Sequence, residues 1–218
     1  MTLHLSILAL LWAAYGGLHS LFASFAFKRW ALARWPGLGP GYRLLYNGVA
    51  VLLLLPILWL TLAWRGPVLW GWHGVWAWLA DLLAVAAGMG FFWTLRYYDA
   101  RTFLGLRQWR RGGDLPSEKE PFQLSPAHRY VRHPWYFFGL VILWTRNMDP
   151  ALLVSSSMIT LYFWLGSRLE ENKLLACHGA VYARYRERVP ALFPLPWRYL
   201  SRAEAETLLA TRQSFAGD

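Results

Sequence analysis

The run Arg129-Tyr130-Val131-Arg132-His133-Pro134-Trp135-Tyr136 and a second group further on, Glu170-Glu171-Asn172-Lys173-Leu174, hold the densest chemistry in this chain. Guanidinium, imidazole, phenol and carboxylate groups flanked by long apolar stretches are costly to place there without polar partners. Together they offer donors, acceptors and both signs of charge, the set that clasps a polar cofactor. Whether the two groups meet depends on the elements that carry them.

Of the 218 residues 56% are hydrophobic, and they fall in long blocks rather than helical stripes, which points to a membrane protein. Fifteen Trp and eleven Tyr fit that reading, since rings with an apolar body and a polar tip favour membrane interfaces. A net charge of +10 suits either nucleic acid or a membrane surface, and the distribution of the basic residues favours the bilayer, so no nucleic-acid partner is expected. Cys177 is the only cysteine, which excludes an intramolecular disulfide and any multi-cysteine metal site; no metal is assigned. The first residues lack a basic stretch ahead of their apolar run, so no removed signal peptide is expected.

Residues 3–27 carry no Lys, Arg, Asp or Glu, and about 20 apolar residues suffice to cross the hydrocarbon core. They predict the first span, with a small and polar patch, Gly16-Gly17-Leu18-His19-Ser20, suited to packing on another helix. A second span is expected over Tyr42–Trp64, interrupted by Pro56, and a third over Val75–Tyr98, which contains Asp81; that carboxylate is read as a cap or as the partner of a cation. Residues 99–133 form the longest polar stretch, read as a loop with interfacial turns. Pro134 suits the first turn of a short fourth helix, Trp135–Thr145, and a fifth span follows over Ala151–Leu169, extending as far as Cys177, with Gly179 as its stop. Beyond it Leu174, His178, Tyr182, Tyr185 and Val189 share one face at helical spacing if the chain stays helical through Gly179. Ser201 and Glu204 have capping-box spacing for a last helix in the tail, 197–218. The expected architecture is one all-α, multi-pass membrane domain of about five spans over 1–218, with its core in 75–196.

An external N-terminus places every Lys and Arg of this chain on the cytoplasmic side except Arg65 and Arg146. That orientation, with the C-terminus in the cytoplasm of a bacterial inner-membrane protein, brings Arg132-His133-Pro134 at the start of helix four to Glu170-Glu171 at the end of helix five. The helix start offers free N–H groups and a positive dipole end for a carboxylate, and Arg129 or Arg132 can add a forked contact. The glutamates accept from sugar hydroxyls or an ammonium group, and tyrosine and tryptophan faces stack on a base or attract a cation. One molecule with all these groups is S-adenosylmethionine.

The Arg129–Tyr136 run, Glu170-Glu171-x-x-Leu174, and the pattern Gly179-x-x-Tyr182-x-x-Tyr185-x-x-x-Val189-Pro190 resemble the isoprenylcysteine carboxyl methyltransferase and phospholipid methyltransferase superfamily. Phe103-Leu104-Gly105-Leu106-Arg107-Gln108 and Gly17-Leu18-His19-Ser20 look more like its methanethiol S-methyltransferase branch. The resemblance implies a membrane enzyme with a cytoplasmic pocket for S-adenosylmethionine and an apolar or lipophilic small-molecule acceptor reached through the bilayer. Arg129, Tyr130, Arg132, His133, Tyr136, Glu170, Glu171, Tyr182 and Tyr185 are the expected cofactor residues. The sequence departs from the family pattern at Pro126-Ala127-His128, at His178, and at Phe138, which occupies the place of a usual glycine while Gly139 follows it.

Methyl transfer from a sulfonium is an in-line displacement, so positioning supplies much of the acceleration. A thiol acceptor must lose its proton, and His19, Asp99 and His128 are the candidate bases; a carboxylate acceptor needs a cation instead, Arg107 or Arg184. An amino-lipid is a further acceptor class. Two other readings stand beside the enzyme: a haem- or quinone-linked electron carrier built on His19, His73, His128 and His133, and a non-catalytic membrane scaffold of the same fold. No oligomeric state is assigned.

Overall fold

The computed structural model describes residues 1–110 and 124–215, with side chains to residue 209. Arg111, Asp114, Glu118, Lys119 and Glu120 of the polar stretch lie outside the described residues. Every named element among the described residues is helical: α1 Thr2–Ala23, α2 Phe25–Arg34, α3 Tyr42–Ala63, α4 Val75–Thr94, α5 Ala100–Leu104, α6 Leu106–Arg110, α7 Pro134–Trp144, α8 Pro150–Arg188 and α9 Arg202–Phe215.

Among the described residues, four helices are long and apolar enough to cross a membrane: Thr2–Ala23, Tyr42–Ala63, Val75–Tyr97 and Pro150–Arg188. Their large side chains point outward, as spans facing lipid require, with Leu52 69%, Trp59 66%, Leu82 62% and Phe92 68% exposed. The protein is an all-α, multi-pass membrane protein. α7 is apolar but at 11 residues rises only about 16 Å, half of a hydrocarbon core, so it is an accessory to the four long spans rather than a fifth.

The first span stops earlier than the uncharged run of the sequence. Ser24 is extended (φ −73°, ψ 144°), and its hydroxyl accepts from the Phe27 N–H, so the chain turns there and starts α2. Gly179, expected to end the last long helix, interrupts it instead: its φ of 51° and ψ of −128° break the backbone path, and helix resumes to Arg188. Residues 100–110 are two short helices rather than loop, separated by Gly105 at φ 91°, where a Cβ would lie 2.8 Å from the Leu44 N. The Ser201–Glu204 capping box forms, with the Glu204 N–H on Ser201 Oγ at 3.2 Å and the Ser201 N–H on Glu204 Oε2 at 2.7 Å.

The chain divides into two compact units. The first comprises Met1–Asp81, residues 98–110 and Trp144–Tyr162. Its core joins α1, α3 and the start of α8 through Leu8, Trp12, Ile57 and Ala151. Inside that apolar contact, Ser155 Oγ accepts from Trp12 Nε1 at 2.9 Å and lies 2.8 Å from Thr61 Oγ1, so the polar groups carried into the span satisfy one another. Gly16 allows α1 to approach α8: a Cβ there would come within 2.9 Å of the Tyr162 ring.

The second unit comprises Leu82–Tyr97 and residues 124–143 and 163–215. Its core gathers Val181, Tyr182, Tyr185 and Val189 against Leu200 and Ala205 of the tail. α7 packs on α4, where Phe138 presses on Gly90 so closely that a Cβ on Gly90 would sit 2.7 Å from the ring. The unusual Phe138 is thus matched by a glycine on the facing helix.

Candidate functional site

In the second unit the segment before α7 is tied down by backbone bonds. The Arg132 N–H donates to Pro190 O at 2.9 Å, the His133 N–H to Ala191 O at 3.1 Å, and the Leu200 N–H to Arg129 O at 2.9 Å. Pro134 then opens α7 at no cost in lost donors. Arg132 and His133 are therefore fixed by their backbone before their side chains make any contact.

The Arg132 guanidinium is fully engaged. Nε and Nη2 both reach Glu171 Oε1, at 2.8 Å and 2.7 Å, while Nη1 donates to the carbonyls of Arg186, at 2.9 Å, and Val189. His133 Nε2 meets the same Glu171 oxygen at 3.1 Å. The side chains of Arg132 and Glu171 are 9% and 5% exposed, so this is a buried ion pair that locks α8 to the segment before α7.

Glu170, one residue earlier, is half-exposed. Its Oε2 lies 3.4 Å from His133 Nδ1 and accepts from the Tyr136 hydroxyl at 3.5 Å. His133 thus has a carboxylate at each ring nitrogen, an arrangement that the doubly protonated imidazolium satisfies. Burial alone would lower its pKa; the hydrogen bonds and charges of Glu170 and Glu171 outweigh burial and raise it. The rings of His133, Tyr136 and Phe163 form a stacked column, with centroid spacings of 5.2 Å and 4.4 Å and interplanar angles of 9° and 8°. One glycine makes room for it: a Cβ on Gly139 would come within 3.3 Å of Phe163.

The other expected cofactor residues have structural partners. Arg129 Nε donates to Leu200 O at 2.9 Å and its guanidinium lies over the Tyr130 ring. Tyr130 is exposed and stacks on Tyr199 at 6.0 Å. Tyr182 and Tyr185 are in the core, and the Tyr185 hydroxyl donates to His128 O at 2.8 Å. His128 Nδ1 accepts from the Ser125 N–H at 3.1 Å and lies 2.7 Å from Ser125 Oγ, capping the 3₁₀ turn at Pro126–Arg129. Burial first, then the charge of His133, pushes its pKa down to about 4.

The remaining candidates sit in the first unit. His19, on α1, has a tyrosine hydroxyl at each ring nitrogen: Tyr162 at 2.8 Å from Nδ1 and Tyr46 at 2.7 Å from Nε2. Ser20 Oγ is 3.4 Å from the same Tyr162 oxygen. Asp99 caps α5, accepting from the Arg101 and Thr102 N–H groups and the Thr102 hydroxyl, and pairs with Arg107 at 2.9 Å. The Thr102 hydroxyl, with the neighbouring backbone donors and Arg107, holds the Asp99 carboxyl below the usual range.

Sequence reasoning missed Phe163, Tyr46 and Tyr162. Phe163 lies seven residues before Glu170, two helical turns along one face of α8, a spacing that identifies it once Glu170 is singled out. Tyr162 was hidden by its neighbours: an aromatic in an apolar run reads as an interfacial anchor until the His19–Ser20 patch is laid against it.

The chain matches no family profile and no solved structure. Among curated proteins it is 31% identical to methanethiol S-methyltransferase 2 of Bradyrhizobium diazoefficiens over 81% of this chain and 68% of that protein. It is 30% identical to the methanethiol S-methyltransferase of a Pseudomonas species over 85% of this chain and 72% of the relative, and 30% identical to that of Mycobacterium tuberculosis over 83% and 74%. A methanethiol S-methyltransferase from Crocosphaera subtropica is 40% identical over 74 residues, 34% of this chain and 29% of that protein. Spans, paired motifs and alignments extending over most of the chain agree: it belongs to the methanethiol S-methyltransferase family.

Proposed function

We propose that this chain transfers the methyl group of S-adenosylmethionine to a small thiol, methanethiol being the acceptor named for its relatives. The observation that carries the donor side is Glu170. With Arg132 and Glu171 neutralising one another in the interior, Glu170 is left half-exposed beside a column of stacked rings. A carboxylate at the edge of aromatic faces suits an ammonium group or ribose hydroxyls on one side and a purine on the other, which is the chemistry of this cofactor. Phe163, the outer ring of the column, would supply the face and Glu170 the acceptor, with Tyr136 and the buried His133 stacked behind them. The Arg132–Glu171 pair holds those groups in register, a positioning role. Bound there, S-adenosylmethionine would supply a methyl group on a positively charged sulfur; a thiolate would attack the methyl carbon in line, its new S–CH3 bond forming as the C–S bond to the sulfonium breaks and S-adenosylhomocysteine leaves.

The thiolate requires a proton acceptor. Of the three candidate bases, Asp99 is occupied as a helix cap with its carboxyl held low, and the His128 lone pair at Nδ1 is used by Ser125. His19, in the first unit, is the candidate that does not serve as a cap. Its two nitrogens face hydroxyls, and Tyr46 and Tyr162 fix the ring while leaving a route for the proton to pass along the O–H groups. Arg107 serves to hold Asp99 and α5. The orientation favoured by the basic residues is consistent with the Glu170 site facing the cytoplasm of a bacterial inner-membrane protein.

The test is headspace detection of dimethyl sulfide from purified protein given methanethiol and labelled S-adenosylmethionine, beside prenylcysteine and amino-lipid acceptors, with calorimetric titration of S-adenosylhomocysteine. Binding and dimethyl sulfide are expected. Binding without turnover on any acceptor would mark a scaffold, and no binding by folded protein removes the donor assignment.

A further inference from the structure

The second unit exposes an apolar surface that no span carries, on residues 190–201, the segment joining α8 to α9. Its level in the molecule is set by α4 and α7. Trp135, in the first turn of α7, donates from Nε1 to Thr94 Oγ1 at 2.8 Å, and its ring lies 5.6 Å from that of Phe91, so α7 begins beside the last turn of α4. That turn closes one of the four long spans and marks an edge of the hydrocarbon core. The segment joins the molecule at the same place. The Pro190 and Ala191 carbonyls hold the N–H groups of Arg132 and His133 just before α7, and the Phe193 ring stands edge-on to Phe137 at 6.5 Å.

The side chains of the segment divide into two sets. Leu192 and Leu200 are buried, whereas Trp197 is 76% and Phe193 56% exposed, and the exposed Tyr199 stacks on the exposed Tyr130. Arg198 is the one charged residue of 190–201, and its Nη2 turns back to the Glu187 carbonyl at 2.6 Å, so the guanidinium is engaged at the end of α8. Backbone donors are withdrawn as well. Pro190, Pro194 and Pro196 carry no N–H, the Arg198 N–H donates to Leu195 O at 3.0 Å, and the Leu200 N–H to Arg129 O at 2.9 Å. A loop in water needs neither exposed rings nor a withdrawn charge and missing donors. At the edge of the hydrocarbon, where an unmet backbone group or a charge is costly, all three are favourable.

We propose that residues 190–201 dock into the bilayer at the boundary between headgroups and acyl chains, with Phe193 and Trp197 deepest and Tyr130 and Tyr199 at headgroup level. The unmodified chain, in liposomes holding a phospholipid with a diazirine on its acyl chain, is irradiated and cut with trypsin, which releases residues 189–198 and 203–212 as separate peptides. Peptide 189–198 takes acyl-chain label, whereas peptide 203–212, from α9, takes none above background. Background labelling of 189–198 overturns the proposal, whether a water-soluble diazirine marks the peptide, as in a solvated loop, or neither reagent does, as where a second copy or another protein covers it. With Cys177→Ser as the parent, nitroxides on Phe193→Cys and on Trp197→Cys are expected about 5–10 Å below the phosphates by oxygen-against-nickel accessibility, with unchanged helical circular dichroism. A nitroxide at either position as open to nickel as one on Ala203→Cys also overturns it.

Discussion

Replacing Glu171 with Gln separates the fixed part of the paired motif from the part proposed to meet ligand. One Glu171 oxygen takes bonds from Arg132 Nε, Arg132 Nη2 and His133 Nε2 within 3.1 Å, and the two side chains of the ion pair are 9% and 5% exposed. Losing the charge leaves a guanidinium in the interior facing neutral acceptors alone, the amide oxygen of the introduced glutamine and the Arg186 and Val189 carbonyls. Breaking one side of a buried pair costs about 3–5 kcal/mol, and the surviving carbonyl bonds put this case near about 3. For a chain of this length about 1 kcal/mol moves Tm by about 2–4 °C, so Glu171→Gln is expected to lower Tm by about 6–12 °C. Thermal unfolding in detergent, followed by tryptophan fluorescence, reads this. The double replacement Arg132→Met with Glu171→Leu removes both charges and is expected to recover most of the loss, giving a strongly non-additive cycle. A Glu171→Gln loss under about 1 kcal/mol, or a double variant as unstable as the two singles summed, refutes the buried-lock reading.

Glu170→Gln is the complementary change: with a half-exposed side chain it should leave Tm within about 2 °C, since surface changes cost about 0.5 kcal/mol, yet weaken S-adenosylhomocysteine at least about tenfold by calorimetry. Gly90→Ala should cost about 1–3 kcal/mol because its Cβ meets the Phe138 ring at 2.7 Å, and Phe138→Leu in the same protein should restore much of it in the same melting assay. Stability should peak near pH 6.5, from two histidines acting in opposite senses. His128, pushed down to about 4, loses stability as pH falls from 6.5 towards 4, whereas His133, raised above 6.5, loses its contribution as pH climbs through its raised value. Melting curves of His128→Asn should lose the acid limb and those of His133→Gln the basic limb.

The spans, the last capping box and the meeting of the two motifs were legible because each rests on a local rule: uncharged length, Ser201–Glu204 spacing, and the proline that starts α7. What escaped rests on single backbone angles or on facing surfaces. Nothing in the apolar run of residues 3–27 marks Ser24 as extended, since a serine there also reads as a span residue bonding back along its helix. Gly179 was recognised as a helix breaker, but the helix after it is held by Tyr182, Tyr185 and Val189 in the core, so tertiary burial restores what the local conformation interrupts. Phe138 read as a departure from the family pattern because its compensation, Gly90, lies on another helix.

The division of labour between the adjacent glutamates was present in the sequence but needed the helical period carried past the motif. Glu171 lies three and four residues before Leu174 and Leu175, both packed on the second unit's core, and four after Ser167, which is buried. Its side chain therefore belongs to the inward stripe of α8, and a carboxylate on such a stripe must be met by a buried cation, which Arg132 supplies. Glu170 is rotated by about 100° from that stripe and falls in line with Phe163 two turns earlier, so it stands beside a ring at the edge rather than inside. Two identical side chains one residue apart thus take opposite functions, one locking the fold and one left open beside the rings, because a helix cannot point neighbours the same way.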